Sequence, residues 1–252
     1  MRPQIVVAAI VLVLVLTGLS LTTGLDPAGW VGGLVYLFVG GALLTWAAHR
    51  SGHHSPSPAD TVTLTRTVLI GGVSALVVGG GPAWPVVGTA VTALILDLVD
   101  GYVARRTRTV SSFGARFDME ADAFLLLILS VYVAVALGPW VLLIGMLRYL
   151  FVGLSRYLPW LGAPLPWSRA RKVVAAIQGV TLTAACAPIL PVWASTTAVA
   201  GALAALLWSF GRDTVRLWDI RGRPGTGDSG PTDKPKQPLR KQEEGALPGH
   251  HR

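Results

Sequence analysis

Residues 97–122 read DLVDGYVARRTRTVSSFGARFDMEAD and lie between two long apolar segments. The stretch contains four aspartates, in a chain with only 13 acidic residues. Asp97 and Asp100 are three positions apart, and Asp118 and Asp122 are four apart, so each pair lies on one face of a helix. The loop between the two helices is short and basic, so we expect the helices to be antiparallel neighbours. Their four carboxylates would then converge at one end of the pair.

The composition is that of an integral membrane protein. Hydrophobic side chains make up 52% of the sequence and charged residues 13%, whereas soluble domains carry about 25% charged residues. The apolar runs are about 20 residues long, enough to cross a hydrocarbon core. The net charge of +8 is concentrated beside these runs, which favours anionic lipid headgroups as partners over nucleic acid. The single cysteine, Cys186, excludes an intrachain disulfide framework and a cysteine metal site.

The loops between the apolar segments alternate in charge. Lys and Arg are concentrated in the connections 49–60, 105–117 and 157–172, and the alternate connections contain none. Because Lys and Arg are retained on the inner side of a membrane, these loops and Arg2 are expected to be cytoplasmic. An even number of crossings then places both termini in the cytoplasm, and the aspartates at the cytoplasmic face of the cell membrane. The eight predicted spans are residues 5–22, 30–48, 61–80, 84–104, 118–137, 139–157, 173–190 and 193–210.

Four converging carboxylates at a membrane surface predict a metal centre. Charged groups inside a membrane are costly, and like charges destabilise one another. Mg²⁺ and similar ions relieve both costs, since they bind carboxylate oxygens and bridge them to phosphates. Gly101 and Ala104 keep the face beside Asp100 free of bulk, and Arg105 is placed to bind a phosphate through two hydrogen bonds. The pattern indicates phosphoryl-group transfer, with Asp122 accepting a proton from an attacking hydroxyl.

The pattern D-x2-D-G-x2-A-R-x8-G-x3-D-x3-D resembles the signature of the CDP-alcohol phosphatidyltransferases, and all eight fixed positions match. The resemblance implies an all-α integral membrane protein with a six-helix catalytic core. Two extra transmembrane helices precede this core here, which gives eight spans with both termini cytoplasmic. The expected domains are the N-terminal helices over 1–57, the core over 58–212 and a basic tail over 213–252. From Arg221 onward the tail lacks apolar periodicity, and we expect it to be disordered.

The resemblance also implies roles for individual residues. Asp97, Asp100, Asp118 and Asp122 would hold two Mg²⁺ or Mn²⁺ ions, and Asp122 would also be the general base. The family tends to carry Asn, Thr and Arg at the start of its first core helix, where this chain has Asp60, Thr63 and Arg66. The residues implied in binding the CDP-lipid are Gly101, Ala104, Arg105, Ser111, Gly114, Thr63 and Asp60.

The implied reaction begins with a CDP-linked lipid, most often CDP-diacylglycerol, whose pyrophosphate binds the metals. An alcohol attacks the phosphorus on the lipid side and CMP leaves, a step of phospholipid biosynthesis. The acceptor stays open between glycerol 3-phosphate, an inositol phosphate, serine and the hydroxyl of another lipid. Arg148, Arg156, Arg171 and Lys172 are candidates for binding a phosphorylated alcohol, although contact with headgroups explains the terminal ones equally well.

Two alternatives concern the acidic cluster and the extra helices. A cation-coupled transporter also uses intramembrane acids, but its sites usually lie near the bilayer midplane on broken helices. The predicted position of the aspartates at the cytoplasmic edge favours the enzyme. Glu120 faces away from them and is expected to be solvated. The extra helices could instead serve a partner or a homodimer contact, because Gly32, Gly33, Gly40 and Gly41 offer small surfaces for helix packing.

Overall fold

The computed structural model describes the backbone of residues 2–51, 58–107, 112–158, 160 and 169–221, and the side chains of residues 6–42, 65–99, 118–158, 160 and 170–218. Within these ranges the secondary structure is entirely helical. A single 3₁₀ turn, Pro139–Val141, precedes the sixth helix. The α-helices are α1 Arg2–Thr23, α2 Pro27–Ser51, α3 Pro58–Val78, α4 Ala83–Thr107, α5 Ser112–Leu137, α6 Leu142–Tyr157, α7 Arg169–Cys186 and α8 Val192–Arg221.

The described helices are those of a membrane protein. Four segments are long and apolar enough to cross a bilayer. These are Val6–Thr23, Asp118–Leu137, Pro139–Tyr157 and Val192–Trp218. Shorter apolar segments lie in α2, α3 and α4, at Pro27–Ala42, Thr65–Val78 and Ala83–Val99. The all-α membrane architecture agrees with the sequence, whereas eight crossings and the cytoplasmic position of the termini remain predictions.

Helix α3 is the central helix of the described fold. It packs against α1, α2, α4 and α5. Ile70, Val73 and Leu76 are fully buried, because α3 has apolar residues around its whole circumference, as expected of an enclosed helix. Arg66, on the same helix, is therefore held in the protein interior.

Over the described residues, α4 and α5 make at most slight contact with each other, and both pack against α3 and α7. The side chains of both helices next to the loop lie outside the described residues, so their pairing there stays a prediction. The loop between α4 and α5 is also shorter than the predicted 105–117, since α4 continues to Thr107 and α5 begins at Ser112. Residues 108–111 lie outside the described residues. Asp97 is thus brought to Asp118 and Asp122 around a third helix.

Two glycines of α2 pack closely against other helices of the same chain. A Cβ atom at Gly32 would lie 2.9 Å from the Cβ of Val78 in α3, and one at Gly33 would lie 3.0 Å from Leu16 in α1. Gly40 has open space around it. The small residues that we expected to offer a partner surface at Gly32 and Gly33 therefore join α2 to its own chain.

Helix α8 extends past the predicted boundary of the catalytic core at residue 212 and ends at Arg221. Asp213 and Leu217, four positions apart on one helical face, are both buried. Their packing explains why the helix continues beyond residue 210. Residues 213–221 are helical, which corrects the start of the predicted tail, and the tail over 222–252 lies outside the described residues.

The contact between α5 and α6 depends on Gly145. A Cβ atom there would lie 2.4 Å from the Cα of Leu127 and 2.7 Å from the Oγ of Ser130. Because one of these atoms belongs to the backbone, a larger side chain must separate the two helices. A Cβ atom at Gly153, two turns further along α6, would meet nothing within 4 Å.

Gly145→Ala is therefore expected to lower the free energy of unfolding by about 1–3 kcal/mol, the usual cost of overpacking. Gly153→Ala is the matched control, and it should be neutral or stabilising by up to about 1 kcal/mol because alanine favours a helix over glycine. Thermal unfolding of both variants in the same detergent measures the difference. Equal unfolding temperatures for the two variants would contradict the close packing of α5 on α6.

Candidate active site

The structure brings together three of the four aspartates. Asp97 of α4 and Asp118 and Asp122 of α5 each offer one carboxylate oxygen, and these oxygens lie within 4.8 Å of one another. Asp100 lies one helical turn after Asp97 in α4, but its side chain is outside the described residues. The three described carboxylates are called the aspartate cluster below.

Arg66 of α3 is the cation of the aspartate cluster. Its Nη1 donates a hydrogen bond to Oδ1 of Asp97 at 2.6 Å and a second one to Oδ1 of Asp118. Its Nη2 donates to Oδ1 of Asp122 at 2.5 Å and to the backbone carbonyl of Asp118 at 3.2 Å. A buried guanidinium is tolerated only when it is paired in this way. Arg66 therefore links α3, α4 and α5 at one point.

Helical spacing within the aspartate motif predicts no role for Arg66. In the sequence it is only the third of the family positions at the start of the first core helix. A charged residue within an apolar segment usually faces the protein interior and has a partner, and this was the available signal. Its partners are 31, 52 and 56 positions away in the chain, so helical spacing gave no means of identifying them.

The aspartate cluster is open on the side away from Arg66. The Arg66 side chain is only 2% exposed, whereas those of Asp97, Asp118 and Asp122 are 31%, 42% and 41% exposed. All three ion pairs use the Oδ1 atom of the carboxylate. One guanidinium against three carboxylates leaves an excess of negative charge. Carboxylate oxygens are the ligands that Mg²⁺ and Mn²⁺ prefer, so the residues present fit a divalent cation.

Two of the four candidate acceptor-binding residues lie near the aspartate cluster. Lys172 of α7 is within electrostatic range of Asp97, and Arg148 of α6 is within electrostatic range of Asp122. Nη2 of Arg148 also donates to Oε1 of Glu120 at 2.5 Å. Glu120 is thus outside the cluster, as expected, and it is half-exposed and paired rather than purely solvated.

The other two candidates have different surroundings. Nε of Arg171 lies 3.7 Å from Oδ2 of Asp213, an almost fully buried residue of α8. This ion pair joins α7 to the part of α8 beyond the predicted core. Arg156 is exposed in the last turn of α6. The structure thus distinguishes Arg148 and Lys172, beside the acids, from Arg171, which pairs with another helix.

The residues predicted to bind the CDP-lipid lie mostly outside the described side chains. The backbone places Asp60 and Thr63 at the start of α3, with Thr63 one turn before Arg66. The residues around the loop between α4 and α5 fall in the helix ends or, for Ser111, outside the described residues. Their roles remain predictions, and this set comprises Gly101, Ala104, Arg105, Ser111 and Gly114.

Comparison with known proteins assigns the chain to a family. The sequence model of the CDP-alcohol phosphatidyltransferases matches residues 57–208, which include the whole aspartate cluster and Arg66. No curated protein and no solved structure matches the chain significantly. Helices α1 and α2 precede the matched region. Since the match covers more than half of the 252 residues, the protein belongs to the CDP-alcohol phosphatidyltransferase family.

Proposed function

We propose that the protein transfers a phosphatidyl group from CDP-diacylglycerol to an alcohol in phospholipid biosynthesis, with release of CMP. Membership of the family implies a transferase that uses a CDP-alcohol. The aspartate cluster is the observation that most directly supports this activity in this chain, because its oxygens lie within 4.8 Å of one another and belong to the family motif. Family membership also favours a transferase over a cation-coupled transporter.

The proposed cofactor is a pair of divalent cations, Mg²⁺ or Mn²⁺, held by the aspartate cluster together with Asp100. When bound, the ions would neutralise the pyrophosphate of the donor and stabilise the CMP that leaves. Arg66 keeps the three carboxylates close despite their mutual repulsion, and it does so from the buried side. The exposed side of the carboxylates stays available for the cations.

Asp122 is the proposed general base. Its Oδ1 atom accepts a hydrogen bond from Arg66, so Oδ2 is the atom that we assign to proton transfer. The hydroxyl of the acceptor gives its proton to Asp122 while its oxygen forms a bond to the phosphorus on the lipid side. The bond from this phosphorus to the CMP oxygen breaks, and CMP leaves with the electron pair.

The donor and the acceptor are proposed to bind on different sides of the aspartate cluster. Arg105, with Gly101, Ala104, Ser111, Gly114, Asp60 and Thr63, would bind the cytidine diphosphate. Arg148 is the first candidate for a phosphorylated acceptor, because it lies within electrostatic range of the proposed base, Asp122. Lys172, beside Asp97, is the second. Arg156 and Arg171 stay weaker candidates, since one is at a helix end and the other pairs with Asp213.

The protein is further proposed to cross the cell membrane eight times, with its active site at the cytoplasmic face. The alternation of basic and non-basic loops supports this orientation. The proposed catalytic unit comprises residues 58–212. Soluble CMP and a water-soluble acceptor would exchange with the cytoplasm, while the acyl chains of the donor stay in the bilayer.

Purified protein is expected to release CMP from CDP-diacylglycerol when Mg²⁺ or Mn²⁺ and a suitable acceptor are present. Addition of EDTA should abolish release, and Mg²⁺ should restore it. A panel of glycerol 3-phosphate, an inositol phosphate and serine, with the lipid product identified by mass spectrometry, determines the acceptor. Absence of CMP release with every acceptor, from folded protein that binds the donor, would contradict the proposed function.

Asp122→Asn is expected to lower kcat by at least about 100-fold, the usual contribution of a general base, while CDP-diacylglycerol binding stays measurable. Asp26→Asn is the matched control. Asp26 precedes α2, and its carboxylate accepts a hydrogen bond from the backbone N–H of Gly29 at 2.9 Å. It lies beside the end of α3 that is far from Arg66. Asparagine caps a helix equally well. The control should keep the wild-type rate. A wild-type rate for Asp122→Asn would show that another group takes the proton.

Arg66→Gln is expected to destabilise the protein when metal is removed, because the three carboxylates then lose the cation that pairs directly with each of them. Removing one partner of a buried ion pair costs about 3–5 kcal/mol, and the exposed carboxylates place the expected loss near the lower end. Mn²⁺ should restore part of the stability. Thermal unfolding in EDTA and in Mn²⁺ measures both effects, with Arg156→Gln as the exposed control. Identical unfolding of Arg66→Gln and wild type in EDTA would exclude this role.

A further inference from the structure

Helices α1 and α2 lie before the region that the family model matches, residues 57–208, yet they pack closely on its first helix. Helix α2 makes its most extensive contact with α3 and also touches α5. These are the helices of Arg66 and of Asp118 and Asp122. Helix α2 therefore contacts two of the three helices that carry the ion pairs.

Tyr36 of α2 packs against the helix that carries Asp118 and Asp122. Its ring lies 4.9 Å, centroid to centroid, from the ring of Phe124, which follows Asp122 by two positions on α5. A Cβ atom at Gly71 of α3 would lie 2.9 Å from Cδ1 of Leu12 and 3.1 Å from Cδ1 of Tyr36, so the absence of a side chain there makes room for both. Tyr36 is thus fitted between the two helices that carry the ion pairs.

The hydroxyl of Tyr36 is within electrostatic range of the Arg66 guanidinium and of the Tyr149 hydroxyl on α6. Tyr149 is in turn within range of Glu120 and Arg148. An aromatic side chain from outside the matched region is therefore close enough to the cation of the aspartate cluster to interact with it electrostatically.

The neighbours of Tyr36 on α2 differ in their exposure to the outside of the protein. Phe38, two residues further along, is 77% exposed, and Val35 is 55% exposed. Gly33, three positions before Tyr36, is buried against Leu16. One face of α2 thus packs on the protein and the other is directed outward, and Tyr36 is on the inner face beside the site.

We propose that Tyr36 is a positioning residue of the transferase, contributed by the N-terminal helices. This rests on the proposed function. The ring keeps α3 and α5 at the separation at which Arg66 reaches Asp122, and so it sets the spacing of the carboxylates that would hold the metals. An aromatic ring suits this role because it is rigid and large. A misplacement of about 1 Å is enough to reduce a rate by about 100-fold, so loss of the ring should lower the rate of the transfer reaction.

The test uses the full chain with Tyr36→Leu, Tyr36→Phe and the control Phe38→Leu on the outer face of the same helix. Tyr36→Leu should lower kcat for CMP release by about 10-fold or more, with the donor KM changed by less than about threefold. Tyr36→Phe keeps the ring and should restore kcat. Titration of free Mn²⁺ by electron paramagnetic resonance should show weaker Mn²⁺ binding in Tyr36→Leu only.

A second pair of variants tests the proposal independently if Tyr36→Leu fails to fold. Gly71→Ala adds a methyl group that meets Leu12 of α1 at 2.9 Å and Tyr36 at 3.1 Å, so it presses on both side chains, whereas a Cβ atom at the neighbouring Gly72 would be at an ordinary 3.4 Å from Val15. Gly71→Ala should lower kcat and weaken Mn²⁺ binding, by about threefold or more for the displacement of a few tenths of an ångström that it requires, and Gly72→Ala should change neither.

The proposal is overturned if Tyr36→Leu keeps wild-type kcat and Mn²⁺ affinity, if Phe38→Leu loses as much as Tyr36→Leu, or if the two glycine variants behave alike. Failure of the proposed function is distinguishable from these results. Wild-type protein that releases no CMP with any acceptor would contradict the transferase assignment, whereas the Mn²⁺ affinities of the same variants would still decide whether Tyr36 positions the carboxylates.

Discussion

The pairing of Arg66 with three carboxylates is the interaction on which the rest of the structure depends. A guanidinium buried in an apolar helix bundle is stable only when its charge is matched, and Asp97, Asp118 and Asp122 supply the match. The carboxylates in turn lie close together because a cation lies behind them. Their exposed sides then present concentrated negative charge, which is the condition for binding a divalent cation.

The helix packing follows from the need to place this arginine. Helix α3 is enclosed by α1, α2, α4 and α5, so Arg66 projects from the centre of the bundle toward the aspartates. The N-terminal helices complete the enclosure through close contacts at Gly32, Gly33 and Gly71. The additional helices are thus part of the packing around α3, and Tyr36 of α2 lies against Phe124 of α5.

Much of the candidate site could be predicted from the sequence, because the relevant information was local. Spacings of three and four place Asp97 with Asp100 and Asp118 with Asp122 on single helical faces, and the intervening loop keeps the pairs at one end of the bundle. Spacing could not show that α3 also joins the two aspartate-bearing helices, because the pairing of Arg66 with acids 31 to 56 positions away is a long-range property. The extension of α8 depends likewise on the buried Asp213, whose partner Arg171 lies on another helix.

The proposed chemistry requires that the aspartate cluster hold divalent cations. A crystal structure of the protein grown with Mn²⁺, with anomalous diffraction recorded at the manganese edge, tests this requirement. We expect anomalous peaks within coordination distance of the carboxylates of Asp97, Asp118 and Asp122, on the side opposite Arg66. Carboxylates that remain bound to Arg66 alone, with manganese absent or located elsewhere in the protein, would contradict it.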